Sequence, residues 1–337
     1  MTLNAIDLFS GCGGLTQGLK QANINVVGAV EIDKYAAKTY SLNHPEVSLI
    51  EEDIRKVSAQ NILDKIQVEK IDLVAGCPPC QGFSNIRNFN RKTIIEDTRN
   101  ELILDFLRII EGILPTFVMM ENVPGIIEYD YFKNTVNRLK QLGYSLDYKI
   151  VNVEKYGVPQ RRKRLVLLGS RLGDVEIPSH AIDQHFTVRD YIYDLPSPNE
   201  SDDPVHKIHS NHTERIQKLI SLIPKNGGNR KDLPFELWLD CHKKKGVGFD
   251  DIYGRLSWDK VSSTITGGCL NPSKGRFLHP TENRSISARE AALLQTFPID
   301  YKFPTDISKT EIAKMIGNSF PPKFSELQAK YLQSLLA

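Results

Sequence analysis

The chain has 337 residues, of which 40% are hydrophobic and 25% charged, and its formal net charge at pH 7 is +2. These values are close to globular averages, so they exclude a disordered or fibrous chain, and the length allows one large domain with a smaller one. No apolar run approaches the ~20 residues of a membrane span and no basic signal opens the chain, so we expect a cytoplasmic protein without membrane contact.

Residues 1–172 alternate short β-branched runs with amphipathic segments, a pattern typical of a parallel sheet covered by helices. Strands are predicted over 5–9, 25–30, 47–50, 71–75, 117–120, 145–153 and 165–169. Helices are predicted over 15–21, 34–43, 58–66, 101–114 and 131–142. The predicted fold class is therefore α/β, with a doubly wound, Rossmann-like sheet.

The sequence pattern changes at about Gly173. Beyond this residue, proline, glycine and histidine interrupt every long periodic segment. We interpret 173–285 as a second, smaller, loop-rich domain and 286–337 as a helical segment that returns to the first domain. The last predicted helix, after Pro321-Pro322, has an apolar face formed by Phe324, Leu327, Tyr331 and Leu335.

Positive charge concentrates in the second domain. Residues 204–280 contain 13 Lys and Arg against 7 Asp and Glu, a surplus of six, so the rest of the chain carries a net negative charge. Such a surplus indicates a polyanionic partner, although a solvated basic face without a partner has the same composition.

Candidate ligand-binding residues follow five consecutive predicted strands, and ligands of an open parallel sheet bind beyond the carboxyl ends of its strands. The turn SGCGG at 10–14 is followed about 20 residues later by Glu31, which indicates a nucleoside-containing cofactor, although tight turns without a ligand share this pattern. The nicotinamide fingerprint fails because Thr16 stands where it requires Gly or Ala. Asp53 follows the third strand, where it is equally suited to cap a helix.

Cys80 ends the segment CPPC at 77–80, in which two prolines hold the backbone extended just before the thiol. Half of a zinc site or a redox pair is the alternative, but no second ligand pair has zinc spacing and five cysteines are an odd number, so we expect no metal and no disulfide framework. A nucleophilic thiol needs nearby positive charge. Arg162 and Arg164, which alternate toward one face as a strand begins, are candidates to supply it.

Six segments in this order resemble the motifs of the DNA (cytosine-5) methyltransferase family, of the bacterial restriction-modification type. They are DLFSGCGGL at 7–15, GCPPCQGFS at 76–84, ENV at 121–123, QRRKR at 160–164, REAALLQTFP at 289–298 and IGNSFPP at 316–322. The remaining stretch, 173–285, corresponds to the family's variable target recognition domain.

The resemblance implies a role for each matching residue. Cys80 would be the nucleophile, Glu121 would act at N3 of the cytosine, and Arg162 and Arg164 would hold the flipped base. The S-adenosyl-L-methionine site would comprise Phe9, Ser10, Gly11, Gly13, Glu31, Ile32, Asp53, Ile54, Pro79, Leu102, Asn318 and Ser319. The base and the catalytic loop would be positioned by Pro79, Gln81, Ser84, Asn122 and Gln160.

The implied reaction adds the Cys80 thiolate to carbon 6 of a flipped-out cytosine, which activates carbon 5 to take the methyl group. The implied partners are double-stranded DNA and a cognate restriction endonuclease that shares the target sequence. Lys225, Arg230 and 243–245, a run of three lysines, are candidates for contacts with DNA phosphates.

Three other functions are compatible with parts of the pattern. Some enzymes of this fold act on transfer RNA, although a variable region of over 100 residues favours DNA. A non-catalytic nucleic-acid-binding scaffold is disfavoured by the intact catalytic motifs. A nicotinamide oxidoreductase is disfavoured by the broken fingerprint.

Overall fold

The computed structural model of the protein describes residues 2–79, 101–178, 184–243 and 251–336. These residues form two compact units. The first comprises 1–156, 163–183 and 319–337, and the second comprises 157–162 and 184–318. Within the described ranges, every helix is too short or too polar to cross a bilayer.

A seven-stranded sheet organises the first unit. Its strands, in chain order, are β1 Asn4–Leu8, β2 Asn25–Val30, β3 Ser48–Ile50, β4 Leu73–Gly76, β5 Phe117–Asn122, β6 Ser145–Asn152 and β7 Lys163–Ser170. They lie side by side in the order β3-β2-β1-β4-β5-β7-β6. All seven strands were predicted from short β-branched runs, and the order reverses at β1, as the doubly wound fold class requires.

The parallel pairing that the pattern predicted holds for β1 to β5, whereas β7 pairs antiparallel with both β5 and β6. Only residues 153–162 separate β6 from β7. A parallel partner needs a crossover of about a dozen or more residues, usually with a helix, so this short connection returns the chain in the opposite direction. The insertion of β7 between β5 and β6 places its first residues beside the end of β5.

Among the described residues of the first unit, five α-helices accompany the strands and a sixth lies at the end of the chain. They are α1 Gly14–Gln21, α2 Lys34–Asn43, α3 Ala59–Lys65, α4 Leu102–Ile113, α5 Asp130–Gln141 and, at the end of the chain, α10 Pro322–Ser334. Helix α4 contacts both α3 and α5, and the apolar residues of the three helices share a core with Ile6 and Leu8 of β1. Because successive strand residues point to opposite faces, Asp7 lies on the other face, with Thr16 of α1.

Helix α10 packs against α1, but not through the predicted face. Its buried residues include Phe324, Ser325, Ala329 and Leu332, whereas Leu327, Tyr331 and Leu335 are only half-buried. The reason is the close approach of the two helices: a Cβ at Gly18 of α1 would lie 1.8 Å from the Ser325 hydroxyl oxygen. Small residues therefore form the contact, and an apolar periodicity alone does not reveal it.

The second unit consists of short helices and turns among its described residues. Its α-helices are α6 Val188–Ile192, α7 Glu214–Leu222, α8 Ala288–Leu294 and α9 Lys309–Asn318. A fully buried arginine, Arg255, stabilises its interior by donating to the carbonyl oxygens of Ile220, Ile223 and His279 and to the side chain of Asn283. Burial lowers the pKa of Arg255 to about 10.

The segments 1–172, 173–285 and 286–337 remain a prediction, and the two compact units divide the chain at other positions. Helices α8 and α9 belong to the second unit, because α8 packs against α6 and α9 there, and only 319–337 lies with the sheet. The segment 157–162 also belongs to the second unit, since Gln160 pairs with Ser262 in an isolated β-bridge.

Candidate active site

The residues predicted to bind ligands follow strands that end level with one another. In the pairing register, Leu8 of β1 lies opposite Val30 of β2 and Gly76 of β4, Val30 lies opposite Ile50 of β3, and Gly76 lies opposite Met120 of β5. The segments that follow these five residues therefore begin at one edge of the sheet. In such folds this edge is where ligands bind.

The turn after β1 is held in a backbone conformation that favours glycine. Gly11 has φ +57° and Gly13 has φ +92°, and Phe9, which has a side chain, also has φ +60°. The Ser10 amide donates to the Val30 carbonyl at 3.1 Å, and the Gly11 amide donates to the Glu31 carboxylate at 2.7 Å. The turn is therefore tied to the end of β2, and it exposes little side-chain bulk to a ligand.

Glu31 is 9% exposed and accepts one backbone hydrogen bond on each carboxylate oxygen, from Gly11 at 2.7 Å and from Asp33 at 2.7 Å. Burial raises the pKa of Glu31, while these two bonds oppose the increase. Each oxygen of a carboxylate accepts two hydrogen bonds, so both retain capacity for a ligand hydroxyl. The neighbouring Ile32 is 66% exposed and offers an apolar surface beside this carboxylate.

Asp53 caps the 3₁₀ helix Ile54–Lys56, the alternative that the sequence left open. Its carboxylate accepts from the Arg55 amide at 3.1 Å and pairs with the Arg55 guanidinium. These contacts with Arg55 hold the pKa of Asp53 below its usual value, against the effect of burial. Ile54 is buried at 4% exposure.

Asn122 connects the end of β5 to the segment that precedes Cys80. Its side-chain amide donates to the Pro78 carbonyl at 3.0 Å, and its side-chain oxygen accepts from the Val123 amide at 2.8 Å. Pro78 is buried and Pro79 is half-buried. The described chain stops at Pro79, so Cys80, Gln81 and Ser84 lie outside the described residues.

Glu121 and Arg164 form an ion pair at the same sheet edge, with 2.6 Å between Glu121 Oε1 and Arg164 Nε. Glu121 lies opposite Val166 in the β5–β7 register, and Arg164 is two residues from Val166, so both side chains project from the same face. The two side chains are 10% and 15% exposed. A buried pair of this kind fixes the position of a carboxyl group and keeps it in a polar environment.

Arg162, predicted to hold the base together with Arg164, has a different position. It belongs to the second unit, is 2% exposed, and donates through Nη1 to the carbonyl oxygens of Ile265 at 2.9 Å and Gly317 at 3.1 Å. The sequence predicted that Arg162 and Arg164 face the same side, but Arg162 precedes β7 and is enclosed by backbone carbonyls, so its guanidinium joins two segments of its own unit.

Gln160 is fully buried in the second unit and takes part in a relay of amides. Its nitrogen donates to Gln295 Oε1 at 2.8 Å, its oxygen accepts from the Ile265 amide at 2.8 Å, and the Gln295 nitrogen donates to the Ile316 carbonyl at 2.7 Å. The sequence did not assign a role to Gln295. Its position in the segment REAALLQTFP, which resembles a family motif, could have indicated that role.

The remaining predicted cofactor residues divide between the units. Leu102, 8% exposed, is the first residue of α4. Ser319 lies in the first unit, where its hydroxyl is 3.0 Å from the Cys12 thiol, while Asn318 ends α9 in the second unit and is exposed. Cys12 was not predicted as a site residue. Burial raises its thiol pKa to about 12, so it is a neutral hydrogen-bonding group.

The predicted phosphate contacts differ in exposure. Lys225 is exposed, and Lys243 is half-buried beside Asp240 at 3.3 Å. Arg230 is only 3% exposed, and its guanidinium lies 4.9 Å from the centre of the Trp238 ring, so the prediction of a phosphate contact is wrong for it. The other two lysines of the run 243–245 lie outside the described residues.

Comparison with known proteins identifies the family. The profile of the family described as C-5 cytosine-specific DNA methylase matches residues 3–334. The chain is 34% identical to the Type II methylase M.HgiDII of Herpetosiphon aurantiacus, with 98% of this chain and 95% of that protein covered. It is 32% identical to the Type II methyltransferase M1.HphI of Haemophilus parahaemolyticus, with 98% and 86% covered.

A solved structure supports the same assignment. A putative DNA modification methyltransferase encoded within an Escherichia coli prophage is 28% identical, with a TM-score of 0.71 and 99% of both chains covered. The family argues against the oxidoreductase and scaffold alternatives and favours DNA over RNA. The chain belongs to the C-5 cytosine-specific DNA methylase family and is a DNA (cytosine-5) methyltransferase of the bacterial restriction-modification type.

Proposed function

We propose that the methyl donor is S-adenosyl-L-methionine and that it binds at the glycine turn of β1. The described residues fit such a ligand: Ser10 Oγ is buried without a hydrogen-bond partner among them, and Glu31 retains acceptor capacity for two ribose hydroxyls. The exposed Ile32 offers an apolar surface to the adenine. When bound, this cofactor supplies an electrophilic methyl group on a sulfonium.

The other proposed donor contacts come from the family resemblance. Phe9, Gly11 and Gly13 border the ligand through the turn, and Asp53 and Ile54 face the adenine from the next strand end. In this proposal Asn318 and Ser319 contact the amino-acid end of the donor. The remaining apolar contacts would come from Pro79 and Leu102.

The proposed reaction begins with the Cys80 thiolate, which adds to carbon 6 of the cytosine. The electron pair of the 5,6 double bond becomes available at carbon 5, and a proton from Glu121 or a hydrogen bond at N3 stabilises the charge on the ring. Carbon 5 then takes the methyl group, and loss of its proton expels the Cys80 sulfur and restores the aromatic ring.

The observation that carries this proposal is the ion pair of Glu121 with Arg164 beside the Asn122–Pro78 hydrogen bond. The first contact fixes a carboxyl group, and the second fixes the backbone two residues before the proposed nucleophile. Gln160 and Arg162, which donate to backbone and amide groups, are proposed to position the segment that leads into Arg164, and not to contact the base.

We further propose that the substrate is a cytosine extruded from double-stranded DNA. Extrusion costs a few kcal/mol of stacking and pairing, which contacts with phosphates must offset. The positive surplus of residues 204–280 supports the assignment of 173–285 as the target recognition region. A cognate restriction endonuclease that reads the same sequence is the proposed partner, as the restriction-modification type implies.

The test compares Glu121→Gln and Arg164→Ala with the wild type in two assays, donor binding by calorimetry and methyl transfer to duplex DNA. We expect both variants to bind the donor normally and to lose about 100-fold or more in methyl transfer, the range typical of a lost general acid. A variant that methylates DNA at the wild-type rate would contradict the assigned role.

Arg138→Ala is the matched control. Arg138 forms an ion pair with Glu111 at a similar distance, 2.5 Å, but the pair is at the surface, with side-chain exposures of 49% and 34%. Exposed pairs of this kind contribute little, so this variant is expected to retain methyl transfer. A loss of methyl transfer in Arg138→Ala would show that removal of an ion pair lowers activity by destabilising the protein and not by a direct effect on the reaction.

A further inference from the structure

Three buried polar side chains from different elements form a cluster beneath the glycine turn. Asp7 of β1 is 1% exposed, and Thr16 of α1 and Tyr40 of α2 are fully buried. Thr16 Oγ1 donates to Asp7 Oδ2 at 2.7 Å and lies 2.9 Å from the Tyr40 hydroxyl. We call these three residues the Asp7 cluster.

The hydrogen bonds of the Asp7 cluster have one direction. When Asp7 is ionised, Thr16 donates its single hydroxyl proton to Asp7, so the Tyr40 hydroxyl then donates to Thr16. The chain of donors thus runs from α2 through α1 to β1. It joins the three elements that surround the turn.

Burial of the Asp7 cluster costs desolvation free energy. Asp7 Oδ1 has no hydrogen-bond partner among the described residues, and burial raises the pKa of this carboxyl to about 7. Apolar residues at these positions would avoid the desolvation of three polar groups. Polar groups that are retained at such a cost commonly belong to functional sites.

The turn that the Asp7 cluster spans is strained. Phe9 has φ +60°, a conformation that a residue with a side chain maintains only when its surroundings impose it. The Asp7–Thr16 hydrogen bond joins the two ends of the turn, nine positions apart. The surroundings that impose this conformation therefore include the cluster.

The Tyr40 end of the Asp7 cluster reaches the other half of the proposed donor site. Tyr40 lies in α2, which begins after its N-cap Asp33, and Asp33 donates its amide to Glu31. Glu31 in turn accepts from Gly11 of the turn. The Asp7 cluster and the Glu31 carboxylate thus form two separate connections between the glycine turn and the segment that runs from Glu31 into α2.

We propose that Asp7, Thr16 and Tyr40 are positioning residues for the methyl donor, which hold the glycine turn and the Glu31 segment at a fixed spacing. This inference rests on the proposed binding of S-adenosyl-L-methionine at that turn. The cluster does not contact the reacting atoms. Its loss therefore weakens donor binding while the chemical step proceeds at close to its normal rate.

The experiment measures the KM of S-adenosyl-L-methionine, the kcat on duplex DNA and the calorimetric Kd of the donor. Thr16→Val keeps the volume of the side chain and removes the hydroxyl, and Thr16→Ser keeps the hydroxyl. We expect Thr16→Val to raise KM and Kd about tenfold, the ratio expected for one lost hydrogen bond, with kcat within about twofold of the wild type. Thr16→Ser should restore the wild-type KM.

Two further variants separate positioning from stability. Tyr40→Phe removes the other end of the cluster without a change in core volume, and it should also raise KM. Thr135→Val removes the hydroxyl of another fully buried threonine, which donates to the Tyr131 carbonyl within α5, far along the chain from the turn. This control should leave KM and Kd unchanged even where its melting temperature falls.

The outcomes are distinguishable. Wild-type donor affinity in both Thr16→Val and Tyr40→Phe would overturn the role of the cluster and leave the proposed donor intact. Equal losses in Thr16→Val and Thr135→Val would assign the effect to stability alone and also overturn it. A wild-type protein that does not bind S-adenosyl-L-methionine would contradict the proposed donor and this inference together.

Discussion

Gly317→Ala tests how closely helix α9 approaches the segment that holds Arg162. A Cβ at Gly317 would lie 2.0 Å from the Thr266 carbonyl carbon and 2.2 Å from the Gly267 nitrogen, whereas ordinary contacts begin at 3.4 Å. Both neighbours are backbone atoms, so the two segments must separate by more than an ångström. Overpacking of this kind costs about 3 kcal/mol, and the higher helix propensity of alanine returns about 1 kcal/mol.

The net loss of about 2 kcal/mol corresponds to a decrease in melting temperature of about 4–8 °C for a unit of this size. Because the Gly317 carbonyl accepts from Arg162, methyl transfer should also fall. The assay is thermal unfolding followed by circular dichroism, with methyl incorporation into duplex DNA measured below the transition. Lys314→Ala, an exposed position on the same helix, is the control and should melt like the wild type.

A Gly317→Ala protein that melts within about 1 °C of the wild type would refute this reasoning, since it would show that the backbone segments have room to move.

Two further predictions concern the second unit. Burial would raise the pKa of Glu290, but its bidentate pair with Arg284 lowers it to about 2. Because the pKa of Glu290 is lower in the folded protein than its unfolded value of 4.5, this group contributes about 3 kcal/mol to the free energy of unfolding above pH 4.5. That contribution is lost as the pH falls toward 2. Glu290→Gln should therefore melt well below the wild type at pH 7, with a difference that narrows by pH 3; a difference independent of pH would contradict the assignment. Arg230→Ala should lower the melting temperature, because Arg230 is buried against Trp238, and it should leave the salt dependence of DNA affinity unchanged. Lys225→Ala should reduce the salt dependence of DNA affinity without destabilising the protein. Fluorescence anisotropy over a range of salt concentrations distinguishes the two, and the reverse pattern would contradict the burial argument.

The elements were predictable where a periodic pattern determines them. Each strand of the sheet alternates or concentrates apolar residues, and helices such as Lys34–Asn43 match their predicted bounds. The direction of β7 is not encoded in its own residues; it follows from the short connection after β6. The buried face of α10 depends on its neighbour, since Gly18 allows Ser325 to approach closely.

The site was predictable as a set of strand ends, because the glycine turn, Glu31 and Glu121 each follow a recognisable strand. Side-chain contacts between distant segments were not. Arg162 was interpreted as an available cation from its alternation with Arg164 and its motif, and Arg230 from the local surplus of positive charge, but backbone carbonyls enclose the first and an aromatic ring covers the second. Thr16 was noticeable in the sequence because it stands where the nicotinamide fingerprint requires Gly or Ala. Its hydrogen bonds with Asp7 and Tyr40 are visible only in the folded chain.

This protein is expected to methylate carbon 5 of cytosine in DNA through Cys80. The most direct measurement is a single-nucleotide map of 5-methylcytosine in the DNA of cells that express the wild type or Cys80→Ser. We expect methylation that is confined to one short sequence in the wild-type cells and absent from the Cys80→Ser cells. Unmethylated DNA in both, or equal methylation in both, would contradict it.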